Sequence, residues 1–88
     1  MVTKRITLDE LRQLAKRARG NIDKIYLHWS AGNYHQFFSD YHLNIDSDGA
    51  IMSTTDDLTE HKDHTWRRNT GAVGIALACC VDAVAYAD

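Results

Sequence analysis

The chain has no proline and only two cysteines, and those two, Cys79 and Cys80, are neighbours. With no proline, no stretch reads as a proline-rich linker, and no internal repeat or low-complexity segment is visible. Successive residues on a strand point to opposite faces, so a bridge between the two cysteines is not expected, and free buried thiols are the simpler reading. A secreted disulfide framework is excluded. No apolar run approaches the roughly 18 residues that a membrane-spanning helix needs. Met1 to Arg5 is basic, but no apolar stretch follows it, so no secretory signal is read. The formal charge is −2, with no basic run or basic amphipathic stripe, which removes the electrostatic case for nucleic acid. Cys-x-x-Cys, His-Glu-x-x-His, a phosphate-cradling glycine loop and a Gly-x-Ser-x-Gly elbow are all missing, so no local signature proves catalysis.

What is present fits one small α/β domain over residues 1–88. A chain this short buries only about 60–65% of its unfolded surface, so its core is marginal. Thr7 and Glu10 form a capping box, and Leu8, Leu11, Leu14, Ala15 and Ala18 make one apolar stripe. Lys16, Arg17 and Arg19 suit the negative end of the dipole, and Gly20 suits the C′ position. The pattern predicts an amphipathic helix over 8–19. Ile25-Tyr26-Leu27-His28 reads as a buried central strand stopped by Ala31-Gly32-Asn33. The segment 33–39 suits a loop or a single helical turn. Tyr41, Leu43 and Ile45 alternate with His42, Asn44 and Asp46, and Ser47-Asp48-Gly49 turns the chain into the partner strand 50–53. Residues 54–63 are acidic and read as loop. The run 72–79 is nearly all apolar and predicts a fully buried strand. The tail from Val81 to Asp88 carries no cap and no closing element, and reads as a domain left incomplete at its C-terminus.

Five histidines lie in the middle of the chain: His28, His35, His42, His61 and His64. Neutral imidazole is the commonest protein metal ligand and a common general base. His28 ends a stiff strand and so is held in a fixed place. Taken alone, it is more simply a core histidine with its nitrogens satisfied. His35 and His61 read as surface residues.

Three segments taken together go further. A strand ending in HWSAG, a hairpin YHLNIDSDGAI and then HTWRRNTGAVGIAL resemble the N-terminal half of the zinc-dependent N-acetylmuramoyl-L-alanine amidases. That family includes phage amidase-type lysozymes and animal peptidoglycan recognition proteins. The resemblance runs from about Ile25 to Ala78 and implies a mixed central sheet with flanking helices.

It implies that His28 is the first zinc ligand. It implies that Tyr41 lies by the zinc-bound water and the scissile carbonyl, and that His64 and Asn69, with Trp66 as an added wall, line the peptidoglycan groove. The residues read alone give Tyr41 as a core-facing hairpin aromatic, Asn69 as a turn residue and Trp66 as a packing aromatic. His42 has a counterpart in the phage enzymes but receives no place in the metal shell.

The family's remaining zinc ligands come from its C-terminal half, which this sequence does not contain. Cys79 and Cys80 do not stand at the ligand cysteine position. The segment between the first strand and the hairpin is also shorter than the family's usual one.

The resemblance therefore implies a peptidoglycan hydrolase of the endolysin type, with zinc as cofactor. A second chain or a further segment would complete both the sheet and the metal site. The enzyme would stay cytoplasmic until released to the bacterial cell wall. Two alternatives stand beside it: a non-catalytic peptidoglycan-binding module of the same fold, and a small α/β interaction domain with incidental histidines.

Overall fold

The computed structural model describes residues 3–63 and 69–80. The elements run β1 (Lys4–Ile6), α1 (Leu8–Ala18), β2 (Lys24–Trp29), β3 (Leu43–Ile45), β4 (Ile51–Ser53) and β5 (Ala72–Leu77). The five strands form one mixed sheet in the order β1-β4-β3-β5-β2. β3–β4 and β4–β1 are antiparallel, whereas β5 lies parallel to both β3 and β2. The fold is thus a small α/β domain with one helix among its described residues.

α1 begins where the sequence says it must. The Thr7 side chain accepts from the Glu10 N–H at 3.1 Å, and the Glu10 carboxylate accepts from the Thr7 N–H at 3.0 Å. Both satisfy backbone donors that the first turn leaves without an intrahelical partner. Arg19 is the C-cap, and Gly20 follows at φ +87°, a conformation that costs a residue with a Cβ about 1 kcal/mol or more.

Register fixes what each face of the sheet carries, because directly paired residues point the same way. Ile6, Ile51 and Ile45 form one row, Leu43, Ile75 and Leu27 another, and Val73 pairs with Ile25. α1 lies on this face. Ile6, Leu14, Ala18, Leu43, Leu58 and Val73 make the buried core. Leu58 reaches it from the acidic 54–63 segment, which is loop as expected but is fastened to the sheet.

α1 does not cover the whole face. Ile25 and Leu27 are each 70% exposed, and Trp29 is 49% exposed. The expectation of a buried central strand at 25–28 is therefore corrected: β2 is the outermost strand of the described sheet. An apolar run reports that a strand is hydrophobic, not which neighbour sits beside it. β5 takes the central place between β3 and β2. Each uncovered Ile or Leu leaves about 1.5–3 kcal/mol of burial unrealised. An apolar hollow of about 530 Å³ lies on this face, lined in part by Leu11, Ala15, Ile22, Ile25 and Ile75.

Three further expectations change. β1 was not foreseen; its Lys4 and Arg5 are exposed and only Ile6 is buried. β3 starts at Leu43, so Tyr41 lies before the strand and does not share the core face of Leu43 and Ile45. Finally, Cys79 and Cys80 are joined as a disulfide rather than being free thiols. The strand ends at Leu77, and Cys80 has φ +76°, so the alternation of a strand no longer separates the two side chains.

Candidate functional site on the sheet face opposite the helix

The face opposite α1 carries Tyr26 and His28 from β2, Ala72, Gly74 and Ala76 from β5, and Asn44 from β3. The small residues of the central strand are themselves covered, with Ala72 2% and Ala76 0% exposed, whereas Tyr26 and His28 at the β2 edge are half-buried. Asn44, Ala76 and His28 form one row across three parallel strands. The C-terminal ends of those strands share one edge, which is where open α/β sheets build their sites.

His28 is half-buried, and that burial pushes its imidazole below the ordinary pKa, toward the neutral form that can donate a lone pair. The Tyr41 ring stands against it, with centroids 5.2 Å apart and planes tilted by 42°. Burial, with a smaller push from Asp40, raises the Tyr41 phenol, so its O–H stays protonated and can donate.

Tyr41 stands thirteen positions after His28 in sequence, and the loop between them is held in several places. Asn44, fully buried, accepts from the Phe38 N–H and donates its amide to the Phe38 carbonyl, both at 3.1 Å. The Phe38 carbonyl also receives the Tyr41 N–H at 3.5 Å. The Phe38 ring lies over Gly32, where an added Cβ would sit 2.9 Å from its Cε2. Asn44 thus fixes Phe38, and Phe38 fixes the turn that delivers Tyr41 to His28.

His42 is fully buried and bound at both ring nitrogens. Nδ1 accepts from the Gly74 N–H at 3.0 Å, and Nε2–H donates to the Glu60 carbonyl at 2.5 Å. It ties the start of β3 to β5 and to the 54–63 loop.

His35 lies at the surface, as its loop suggested, but its ring is tied to a buried carboxylate. Its ring Nδ1–H donates to Asp46 Oδ2 at 2.5 Å, and its backbone N–H donates to Asp46 Oδ1 at 2.9 Å. Burial works to raise the Asp46 carboxyl, but hydrogen bonds from the Ser47 N–H and from the ring and backbone of His35 outweigh it and hold it below the usual carboxylate range. The partners stand eleven residues apart and meet only in the folded chain, so no local pattern announces them.

Asn69 lies at the N-terminal end of β5. Its carbonyl accepts from the Ala72 N–H at 3.2 Å, and its amide is 3.5 Å from Asp63. Ala76, the partner of His28, stands four positions after Ala72. That is about 13 Å of strand, so Asn69 stands apart from the His28–Tyr41 pair. His64 and Trp66 lie outside the described residues.

Among the described residues no group of three or more His, Cys, Asp or Glu is arranged to hold a metal ion. His28 is one donor, and a catalytic zinc needs three protein ligands. The described residues alone do not make that centre. No helix among them is long and apolar enough to cross a membrane. No protein-family model, curated protein or solved structure matches the chain.

Proposed function

We propose that this chain is part of a peptidoglycan hydrolase that cleaves the amide bond between N-acetylmuramic acid and L-alanine. The observation that carries the reading is the meeting of His28 and Tyr41 on the sheet face opposite α1. The sequence resemblance assigns those two residues adjoining roles, whereas the hydrophobic alternation of the hairpin would have sent Tyr41 into the core.

In this reading His28 supplies one nitrogen ligand to zinc, and the neutral state favoured by its burial suits that task. The protonated Tyr41 phenol donates a hydrogen bond toward the oxygen that gains charge as water adds to the carbonyl. Zinc, when bound, lowers the pKa of its water to about 7 and polarises the carbonyl. The other ligands come from a further segment or a second chain. The uncovered strip of Ile25, Leu27 and Trp29 is a surface on which such a piece would pack.

Peptidoglycan is the partner and the bacterial wall the place of action, with the enzyme held in the cytoplasm until release. His64, Trp66 and Asn69 are assigned to the groove wall by the resemblance alone.

The test is release of new L-alanine amino termini from purified peptidoglycan in the presence of Zn²⁺. Cleavage abolished by His28→Ala supports the reading. Muropeptide binding without cleavage replaces it with a recognition module.

A further inference from the structure

Hydrolysis of an acyl bond needs a group to take the proton of the attacking water, and a positioned side chain supplies about 10²–10⁴-fold through it. The imidazoles of the described residues divide clearly. His28 is assigned to the metal in the reading above. Both nitrogens of His42 are committed within the core. His61 is an exposed residue 3.8 Å from an exposed Asp63. His35 differs from all of these.

Its Nδ1–H is taken by Asp46, a side chain only 7% exposed. Asp46 is itself fixed, because its Oδ1 accepts the backbone N–H groups of both Ser47 and His35. In the neutral ring that bond sets the tautomer and leaves the lone pair on Nε2, and the ring is 71% exposed. The backbone at His35 has φ +62°, a left-handed conformation that stores strain and that the two bonds to Asp46 hold in place. Asp46 follows β3, whose C-terminal end shares an edge with that of β2. Continued strand alternation puts Asp46 on the same face as Asn44, two strands across and one row on from His28, roughly 12 Å between backbones.

We propose that His35, oriented by Asp46, is a proton acceptor for water attacking an acyl carbonyl held at this edge of the sheet. Nε2 takes one proton as the water oxygen bonds to the carbonyl carbon. The tetrahedral intermediate then collapses, the bond to the leaving group breaks with its electron pair, and the imidazolium returns its proton to the leaving amine or to solvent. The inference takes its natural substrate, the lactyl amide, from the amidase reading. Its chemistry does not depend on zinc or on peptidoglycan.

The test uses the 88-residue chain and p-nitrophenyl acetate. His35→Ala is expected to remove most of the chain's acceleration of p-nitrophenolate release, a loss of about tenfold or more. Asp46→Asn is expected to do nearly as much, because its amide donates to Nδ1 and turns the ring to the other tautomer. His61→Ala is expected to leave the rate unchanged.

Asp46→Asn also disturbs a buried group, so the wild-type ring is read directly by long-range ¹H–¹⁵N NMR. In the neutral ring Nδ1 should be protonated and Nε2 bare. Equal rates for His35→Ala and wild type overturn the proposal, as does a ring protonated on Nε2 alone. A rate that depends on His35, with no release of L-alanine termini from peptidoglycan, keeps the proton acceptor and rejects the amidase reading.

Discussion

His28 and Tyr41 face each other at 5.2 Å across a loop whose backbone is pinned by the buried Asn44. The pairing separates the phenol's chemistry from its packing. Tyr41→Phe keeps the ring against His28 and should change stability by no more than about 0.5 kcal/mol. On the amidase reading it should lower the rate of amide cleavage without lowering zinc content. A variant that cleaves as fast as wild type removes the phenol from the reaction. Denaturant midpoint, zinc content and L-alanine termini are measured on the same preparation.

His42 makes the domain sensitive to acid. Burial holds its imidazole below the ordinary value of 6.5, and the pull of the Glu60 carbonyl the other way is smaller. Nδ1 must stay bare to accept the Gly74 N–H. Glu60, His61 and Lys62 are the charged or titratable neighbours that act on the ring. The unfolded ring takes a proton near pH 6.5, whereas the folded ring does so only at lower pH. Between those values the unfolded chain binds more protons, so stability rises with pH. The contribution is complete above the unfolded pKa and is lost as pH falls toward the folded one. The urea midpoint should therefore drop from pH 7.5 to pH 5 more steeply in wild type than in His42→Gln. Equal slopes would show that the ring is not held neutral.

Thr7→Ala removes the acceptor for the Glu10 N–H and should cost about 1 kcal/mol. For a domain of this size that is a fall of about 4–8 °C in Tm. An unchanged Tm would mean that the first turn of α1 adds nothing to the folded state.

The two faces of hydrophobicity should respond in opposite ways. Leu14 is 6% exposed within the core, and Leu14→Ala should cost about 2–5 kcal/mol. Leu27 is 70% exposed, and Leu27→Lys should cost no more than about 0.5 kcal/mol while reducing self-association at high concentration. A Leu27→Lys chain that fails to fold would show that the strip is covered within the chain.

Local signals carried much of this fold. The capping box and apolar stripe placed α1 to within a residue of its observed end, and Asp48-Gly49 placed the hairpin. What failed was whatever depends on neighbours distant in sequence. The run Ile25-Tyr26-Leu27 looks the same on an edge strand as on a central one. β1 is three residues long and pairs with β4 alone, so only its partner reveals it.

The site divides in the same way. Alternation sent Tyr41 to the core because the strand was started two residues too early, and its contact with His28 follows from the loop that precedes β3. The His35–Asp46 pair was invisible because a loop and a strand end far apart in sequence supply its halves. The Cys79–Cys80 bridge was missed because a backbone reversal at Cys80 lies outside any strand rule.

The most direct measurement is the zinc content and L-alanine terminus release of the natural polypeptide and its His28→Ala variant, both incubated with purified peptidoglycan. One zinc per chain and new L-alanine amino termini, both lost on His28→Ala, are the expected result. Cleavage and zinc content unaffected by His28→Ala would contradict the assignment of this face of the sheet as the metal site of an amidase.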